Sequence, residues 1–324
     1  MNTSPLQEAF SAARFIKEIG RGKHGARDLS RNDATELYRA MLERRVSDLE
    51  LGAILLAMRI KGESVDEIAG FMDAAEASFT ALEAPATGVM PVVIPSYNGA
   101  RKLANLVPLL AMLLARDGLP VLVHGVQTDP GRVTTAEIFA ELGWPLSTSV
   151  AAAQGQLHAG TPAFIAIEVL APPIAGLLAL RRVLGVRSST HTLVKLLQPF
   201  QGPALRLSSY THPEYLTMLS DYLLTAVAPD RGDTFLMRGT EGETVANTRR
   251  AQQIDWFHAG KRTTLVEREA PVDAAPDMPA QRDAVTTARW IEQVLDGRLP
   301  VPPAIAEQVA RCVAIANGRV PDVG

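Results

Sequence analysis

The sequence predicts a small helical domain and a larger α/β domain with a mainly parallel sheet. Two observations lead to this prediction. Apolar residues recur at helical spacing through roughly the first eighty residues, and short apolar runs alternate with helical patterns from about residue 89 onwards. Alternation of strands and helices is typical of a parallel sheet, because each crossover between parallel strands needs a long connection, usually a helix.

Three helices are predicted in the amino-terminal region. Apolar spacing predicts the first over residues 33–44, with Ser30 as its N-cap. Ser47 and Ser64 are predicted to cap the second and third, since a serine hydroxyl can accept a hydrogen bond from an otherwise unpaired backbone N–H. A stretch rich in Ala, Pro, Thr and Gly over residues 81–91 is expected to link the two domains.

The α/β region is assigned from the same two patterns. Apolar runs bounded by turn residues predict strands, and amphipathic spacing predicts helices. The predicted strands are 89–94, 118–125, 164–170 and 234–239. The predicted helices in the rest of the chain are 103–116, 134–142, 174–184, 190–197, 215–224, 284–295 and 303–316. Residues 269–280, rich in Pro, Ala and Asp, are expected to form an exposed loop.

Composition narrows the class of protein. With 324 residues, of which 47% are hydrophobic, the chain can bury a full core. A single cysteine, Cys312, excludes an intramolecular disulfide framework and is expected of a reducing cytoplasm. No signal peptide is expected, because residues 1–10 show no charged region followed by an apolar one. No transmembrane span is expected, because the longest apolar stretch, near 165–180, is interrupted by Glu168, two prolines and Gly176. We therefore expect a cytoplasmic protein without a membrane partner.

The charge of the chain is unevenly distributed. The formal net charge of −3 does not by itself indicate a nucleic-acid-binding protein. Basic side chains nevertheless outnumber acidic ones over residues 181–262, whereas acidic side chains predominate over 1–94 and 263–324. Such differences, taken alone, are typical of solvated surfaces.

The most informative segment is the one that follows the first predicted strand, residues 95–105. A Gly-rich loop occupies this place in many α/β phosphate-binding proteins, where its backbone N–H groups surround the phosphate. Here the segment contains one glycine, Gly99, and the cations Arg101 and Lys102 follow it. Cationic side chains also bind phosphates, but as point charges or planar forks aimed at a polyanion. The segment therefore indicates that side-chain charge replaces a backbone cradle.

Several strings resemble glycosyltransferase family 3, which contains anthranilate phosphoribosyltransferase and the pyrimidine nucleoside phosphorylases. Residues 28–30 (Asp-Leu-Ser), 51–64 and 67–70 (Glu-Ile-Ala-Gly) are similar to the helical domain of that family. Residues 180–187 (Leu-Arg-Arg-Val-Leu-Gly-Val-Arg) resemble its hinge helix. The resemblance extends from about residue 10 to about residue 265.

This resemblance implies how the chain is divided. The helical domain is expected to be discontinuous, with residues 1–85 completed by about 171–198. The α/β domain is then formed by 86–170 and 199–324. The resemblance also implies a homodimer formed through the helical domain.

The catalytic motifs of the parent enzymes are largely replaced. Their Gly-Thr-Gly-Gly-Asp loop, which binds the pyrophosphate of phosphoribosyl pyrophosphate, corresponds to 96–100 (Ser-Tyr-Asn-Gly-Ala). Their Asn-Ile-Ser-Thr and Lys-His-Gly-Asn motifs correspond to 105–108 (Asn-Leu-Val-Pro) and 123–126 (Val-His-Gly-Val). Their adjacent Asp-Glu pair, which holds magnesium, corresponds to the separated residues Glu241 and Glu243. Together these losses argue against the parent reaction, so we expect no cofactor and no metal.

The pattern that is present resembles the divergent YbiB-like branch of the family. It consists of Asn98-Gly99-x-Arg101-Lys102-x-x-Asn105, of 132–137 (Arg-Val-Thr-Thr-Ala-Glu) and of 191–197 (His-Thr-Leu-Val-Lys-Leu-Leu). The resemblance implies nucleic-acid binding (DNA or RNA) without the parent transferase activity. No catalytic residue is therefore assigned.

The candidate contacts follow from the expected fold. Ligands of α/β folds gather at the carboxyl ends of the strands, so the loops after Ile94, Val123 and Met237 are expected to converge. The candidates for nucleic-acid or phosphate contact lie in these loops or beside the hinge helix; they are Asn98, Gly99, Arg101, Lys102, Asn105, His124, Arg132, Arg181, Arg187, His191, Lys195, Arg238, Arg249 and Arg250.

The mode of binding expected from these residues is electrostatic. Tyr97, Tyr210 and His191 are candidates for stacking on single-stranded bases. Because no motif that reads base edges is present, we expect steep salt dependence and little base specificity. Among the candidates, His124 and His191 are more typical of structural residues or contacts than of catalytic ones. Arg249 and Arg250 are equally compatible with ordinary surface positions.

Two other hypotheses remain open from the sequence. The first hypothesis is that the chain retains phosphoribosyl or other glycosyl transfer, with phosphoribosyl pyrophosphate bound through Mg²⁺ held by Glu241 or Glu243. This hypothesis is favoured by the retained His124-Gly125 and by Arg181, whose position in the parent family helps hold the acidic acceptor. The chain could also be a phosphorylase or binder of another phosphorylated metabolite.

Overall fold

The computed structural model describes residues 10–22, 24–250, 252–270 and 278–319. The chain divides into two units, one comprising Met1–Phe79 and Ala171–Leu197 and the other Thr80–Leu170 and Gln198–Gly324. The first unit is helical and the second is α/β, so the predicted fold class is confirmed. Among the described residues, no helix combines the length and the apolar character needed to cross a membrane.

The regular elements are numbered in chain order. The helices are α1 (Ala13–Ile19), α2 (Arg31–Leu42), α3 (Asp48–Lys61), α4 (Val65–Glu76), α5 (Val107–Arg116), α6 (Thr135–Glu141), α7 (Val150–His158), α8 (Ile167–Leu170), α9 (Pro172–Ala179), α10 (Arg181–Leu184), α11 (Thr190–Leu193), α12 (Pro213–Thr225), α13 (Ala284–Leu295) and α14 (Pro303–Ala316). The strands are β1 (Val92–Ser96), β2 (Val121–Gly125), β3 (Ala163–Ala166), β4 (Ala204–Tyr210), β5 (Gly232–Arg238), β6 (Ile254–His258) and β7 (Lys261–Val266). A short 3₁₀ turn, Pro229–Arg231, precedes β5.

The predicted caps of the helical unit are confirmed. Ser30, Ser47 and Ser64 precede α2, α3 and α4, and each hydroxyl accepts a hydrogen bond from the backbone N–H three residues later. At Ser47 and Ser64 the carboxylate of the glutamate three residues later accepts a hydrogen bond from the backbone N–H of the serine, which completes a capping box. The short α1 was not predicted, and its N-cap residue, Ala12, makes no side-chain cap.

Buried polar contacts complete the helical unit. The ring centroid of Tyr38 in α2 lies 5.0 Å from that of Phe71 in α4. The Tyr38 hydroxyl lies 3.0 Å from the hydroxyl of Thr190 in α11, which ties the second segment of the unit to the first. The fully buried Glu67 accepts a hydrogen bond from the Leu29 N–H and pairs with Lys61 Nζ at 2.7 Å, so this charge is compensated.

The sheet of the α/β unit is mainly parallel, as predicted. Within the described residues it has seven strands in the order β3-β2-β1-β4-β5-β6-β7. Strands β1 to β5 pair in parallel, and β6 and β7 add an antiparallel edge. Helices α5, α6, α13 and α14 contribute to one apolar core with the central strands. The hairpin between β6 and β7 turns through Ala259 and Gly260, both at positive φ.

Several element boundaries differ from the sequence prediction. The segment 164–170 is not one strand, because β3 ends at Ala166 and α8 follows at once. Residues 174–184 form two helices, α9 and α10, and only the first half of 190–197 is helical. A short apolar run does not distinguish a buried strand from a buried helix, which explains the first of these errors. The strands β4, β6 and β7 and helix α7 were not predicted. Of the expected loop 269–280, residues 271–277 lie outside the described residues.

Candidate functional site

The loops that contain the α/β candidates begin at one edge of the sheet. Strands β1 and β2 are in parallel register, with Ser96 opposite Gly125 at their carboxyl ends. Strand β5 ends at Arg238, in register with Tyr210 at the end of the parallel strand β4. A Cβ atom on Gly125 would lie 1.8 Å from the Ser96 carbonyl oxygen, so only glycine fits this close approach. The carboxyl edge therefore carries three loops, 97–106, 126–134 and 239–250.

The first two loops are joined by backbone hydrogen bonds. The N–H of Ala100 donates to the carbonyl of Val133, and the N–H of Val133 donates back, both at 2.9 Å. Gly99 has φ of 61°, and a Cβ there would lie 2.9 Å from the Val133 carbonyl oxygen. The guanidinium of Arg132 donates to the Asn98 and Gly99 carbonyls at 3.2 and 3.3 Å. The first loop, 97–106, is thus held in place by the second, 126–134.

The third loop contains a tight turn from Thr240 to Glu243. The backbone groups of these two residues exchange hydrogen bonds at 3.0 Å, and Glu241 and Gly242 have φ of 55° and 94°. The Gly242 carbonyl accepts hydrogen bonds from Asn98 Nδ2 at 2.8 Å and from the Ser209 hydroxyl at 3.0 Å. A Cβ on Gly242 would lie 2.2 Å from Asn98 Nδ2, so the turn requires glycine here.

The two carboxylates of this turn bind the backbone of the first loop. Glu243 Oε1 accepts hydrogen bonds from the N–H groups of Asn98 and Gly99, both at 2.7 Å. Glu241 accepts hydrogen bonds from the N–H groups of Arg101, at 2.5 Å, and Lys102, at 2.9 and 3.0 Å. A hydrogen bond to a charged acceptor contributes about 1.5–3 kcal/mol. Four donors of the kind that would surround a phosphate are therefore paired with carboxylates of the chain itself.

Helix α14 holds the residues that follow this turn. The side chain of Gln308 is fully buried and accepts a hydrogen bond from the Ala246 N–H at 2.8 Å. Its amide nitrogen donates to the Thr244 carbonyl at 2.8 Å. Sequence reasoning missed Gln308, because it lies sixty-two residues from Ala246 in an ordinary amphipathic helix.

The geometry does not fit the magnesium site of the parent enzymes. Mg²⁺ requires a near-octahedral set of oxygen ligands and usually shares them with substrate phosphates. Here Glu241 and Glu243 face backbone donors, which repel a cation. Among the residues that the structure describes, no three His, Cys, Asp or Glu side chains are grouped so that they could hold a metal. We therefore derive no reaction step through magnesium.

His124 is a buried, neutral residue. It has no exposed surface, and its Nδ1 lies 2.7 Å from the Tyr97 hydroxyl. Burial lowers the pKa of His124 to about 3 and raises the pKa of Tyr97, which Glu168 raises further. An uncharged and enclosed imidazole offers a phosphate neither charge nor access, so this conformation favours a structural role for His124 over the expected phosphate contact.

The α/β candidates fall into two groups. The side chains or backbone groups of the first group build the loops: Asn98, Gly99, Asn105, His124 and Arg132. Asn98 and Asn105, which were expected to contact nucleic acid or phosphate, are buried, and their side-chain amides hold the loops together. Their amides are bonded to Gly242 and to the Thr135 hydroxyl. The second group is at the surface: Arg101, Lys102, Arg238 and Arg249 are exposed and Arg250 is partly exposed.

An open cavity beside the first loop is lined by three cations. Its volume is about 570 Å³, and Lys102, Arg249 and Arg282 contribute to its wall. Asp283 also lines it, but one of its carboxylate oxygens caps α13 by accepting the Thr286 N–H. Sequence reasoning missed Arg282. A cation just before an N-cap aspartate carries no signal that places it beside a loop 180 residues earlier.

The helical unit contains the remaining candidates, which form a cationic cluster of their own. Burial first, and then the charges of Arg187, Arg181 and Lys195, lower the pKa of His191 to about 4. Its Nδ1 accepts a hydrogen bond from the Ser188 N–H at 3.2 Å. His191 is therefore neutral near pH 7, and the positive charge at this place comes from the two arginines and the lysine.

The buried His124 predicts a pH dependence of stability. Its pKa is about 3 in the folded chain, against about 6.5 when unfolded, so below pH 6.5 only the unfolded chain takes up this proton. Its stabilising contribution is complete above pH 6.5 and is lost as the pH falls toward 3, by about 2 kcal/mol at pH 5. Urea unfolding at pH 7 and pH 5 should show a loss of stability that is about 2 kcal/mol smaller in His124→Gln. An equal loss in both proteins would contradict this assignment.

Comparison with known proteins places the fold in a family. A profile of the glycosyl transferase family, helical bundle domain, matches residues 13–78. The chain is 45% identical over 306 residues to the Escherichia coli protein YbiB, which covers 94% of each sequence. It is 26% identical over 316 residues to anthranilate phosphoribosyltransferase of Methylocella silvestris, covering 94% of this chain and 86% of the enzyme.

A solved structure agrees with this assignment. Anthranilate phosphoribosyltransferase from Thermus thermophilus matches 95% of this chain and 90% of its own, with a TM-score of 0.73 and 21% identity, a likeness that concerns the fold alone. The chain therefore belongs to the family of Escherichia coli YbiB, a divergent member of glycosyltransferase family 3 with the anthranilate phosphoribosyltransferase fold.

Proposed function

We propose that the protein binds nucleic acid, without preference for base sequence, through cationic side chains at the carboxyl edge of its sheet. The observation that carries the proposal is the reversal of roles in the first loop. Its backbone donors are occupied by Glu241 and Glu243, whereas the side chains of Arg101 and Lys102 are exposed. A phosphate that approaches this edge meets charged side chains instead of a backbone cradle.

The distribution of charge favours an extended ligand over a compact one. Lys102, Arg249 and Arg282 surround an open cavity of about 570 Å³, and Arg101 is exposed next to Lys102. Cations spaced around an open cavity suit successive phosphates of a polymer, each of which releases counterions when it is neutralised. We expect such binding to weaken steeply with salt.

Tyr210 offers a surface for a base at the same edge. It is half-buried at the end of β4, in register with the exposed Arg238. Burial is the main cause that raises its pKa, so the ring is an uncharged phenol near neutral pH. Aromatic rings beside cations are typical of proteins that bind single strands, since every base can stack on them. This arrangement supports single-stranded or non-specific nucleic acid as the partner.

The alternative function is transfer of a phosphoribosyl or related group. The likeness to the Methylocella silvestris enzyme favours it, as does the shared fold. We rank it second because the nominated magnesium ligands and the loop donors are bonded to each other. Binding or phosphorolysis of another phosphorylated metabolite ranks third, since the cavity beside Lys102, Arg249 and Arg282 is open and a small metabolite favours an enclosed one.

We also propose that the protein is a cytoplasmic homodimer joined through its helical unit. Helix α3 carries the exposed side chains of Leu49, Leu56 and Ile60, whose exposed fractions are 85%, 49% and 68%. Their spacing places them on one face of the helix. An apolar stripe of this kind favours a second copy as its cover, because exposed apolar patches mark interaction surfaces.

Charge reversal tests the binding proposal. The variant Arg101→Glu/Lys102→Glu should bind a fluorescent single-stranded oligonucleotide at least 30-fold more weakly at about 100 mM salt. The slope of log affinity against log salt should become shallower by about 1.5 to 2. Fluorescence anisotropy across a salt series measures both quantities.

A matched control separates this effect from net charge. Arg116→Glu/Lys261→Glu makes the same change in charge at two exposed positions, the last residue of α5 and the first residue of β7. The affinity of this control should lie within about threefold of the wild-type value, and its slope of log affinity against log salt within about 0.5. Unchanged binding by the loop variant, or an equal loss in the control, would rule out the proposed site.

The dimer is tested by light scattering after gel filtration. The wild-type protein should have twice the mass of one chain, and Leu49→Glu should be monomeric because it places a charge in the apolar stripe. Val285→Glu, at a residue that is 40% exposed in α13, should remain dimeric. A monomeric wild-type protein would refute this part of the proposal.

A further inference from the structure

We propose that Glu241 and Glu243 determine which phosphates the carboxyl edge accepts. Their carboxylates occupy the backbone donors that a small diphosphate would need, and so they exclude it. In the first loop, phosphate contacts then come from the exposed side chains of Arg101 and Lys102 instead of from the backbone, which suits a polymer. The second half of this inference rests on the proposed function, whereas the exclusion of small phosphates does not.

The hydrogen bonds support the inference first. One oxygen of Glu243 is shared by two N–H groups at 2.7 Å, which is how a phosphate oxygen lies in a nest of backbone amides. Glu241 accepts the N–H groups of Arg101 and Lys102 in the same loop. Two carboxylates thus take the places of two neighbouring anions, and a diphosphate could enter only by displacing both.

The construction of the turn supports it second. Glu241 is one of the few non-glycine residues with positive φ among those the structure describes, at 55°. Such a conformation persists only where the surroundings hold it. Here the Gly242 carbonyl is held by Asn98 and by Ser209, and the next residues of the loop are fixed by Gln308. The carboxylates are therefore part of a built contact and not of a freely moving loop.

Burial distinguishes the roles of the two residues. Glu243 is 1% exposed, so its carboxylate cannot leave the loop without rearrangement of the turn. Glu241 is partly exposed and binds donors at the edge of the loop. Removal of Glu241 should open the two donors at the exposed end of the loop, and removal of both residues should open four.

The test is calorimetric titration with inorganic pyrophosphate, without metal. The wild-type protein should show no heat of binding up to roughly 1 mM pyrophosphate. Glu241→Ala and Glu241→Ala/Glu243→Ala should bind pyrophosphate with a dissociation constant at least tenfold lower than this concentration. In the double variant, the amide NMR signals of Gly99 and Lys102 should shift on addition of pyrophosphate. If the double variant does not fold, Glu241→Ala decides the question.

The control removes the same charge without opening donors. Glu267→Ala/Glu269→Ala changes two exposed carboxylates near the end of β7 and should behave as the wild-type protein. Equal gain of pyrophosphate binding in this control would attribute the effect to net charge and overturn the inference. Wild-type protein that binds pyrophosphate as tightly as the variants, or a folded Glu241→Ala that gains nothing, would also overturn it.

Oligonucleotide binding by the wild-type protein keeps this test distinct from the proposed function. If the variants gain pyrophosphate binding but the wild-type protein binds no oligonucleotide, the exclusion stands and the polymer proposal fails. If the wild-type protein binds oligonucleotide and no variant gains pyrophosphate binding, the polymer proposal stands and the inference about Glu241 and Glu243 fails.

Discussion

The carboxyl edge of the sheet depends on the hydrogen bonds between two carboxylates and the backbone of the loop after β1. Glu243 and Glu241 satisfy four N–H groups that would otherwise need a ligand or water. Because a hydrogen bond to a charged acceptor contributes about 1.5–3 kcal/mol, this pairing holds the loop in place through groups of the chain itself. It also fixes the direction in which Arg101 and Lys102 leave the backbone.

The same interaction explains how one fold can serve a different chemistry. The fold resembles that of anthranilate phosphoribosyltransferase across nearly the whole chain. A fold does not determine function, however, because function depends on the side chains that line the site. Here the order of strands brings the same loops together, while the residues of those loops bind one another. The surface that results is cationic and open, and this difference supports a polyanion as the partner.

The sequence predicted the fold better than the site. Serine caps and helical spacing identified α2, α3 and α4, since these signals are local and the structure bears them out. Strands β6 and β7 were not predicted, because Ala259 and Gly260, through which their hairpin turns, are a weak turn signal. The alternation of apolar and polar residues along these strands is also short. Segment 164–170 was misassigned because apolar runs fit a buried strand and a buried helix equally well.

At the carboxyl edge, the exposure of the cationic side chains follows from the local sequence, whereas the hydrogen bonds around them do not. Arg101 and Lys102 are exposed as expected, because charged side chains after a turn seldom become buried. The burial of His124 and the pairing of Glu243 with Asn98 depend on contacts across 27 and 145 residues, which no local pattern reveals. The Glu-Gly pair at 241–242 is the one local signal of a tight turn that could have located the carboxylates, since glycine favours positive φ there.

The most direct test of the central claim is the salt dependence of oligonucleotide binding by the wild-type protein, measured with and without millimolar pyrophosphate. If exposed cations bind a polymer, log affinity should fall with log salt at a slope of about −2 or steeper, and pyrophosphate should not displace the oligonucleotide beyond its own ionic strength. Absence of oligonucleotide binding would contradict the account. Displacement of the oligonucleotide by pyrophosphate at constant ionic strength would also contradict it and would indicate that this edge binds small phosphate ligands.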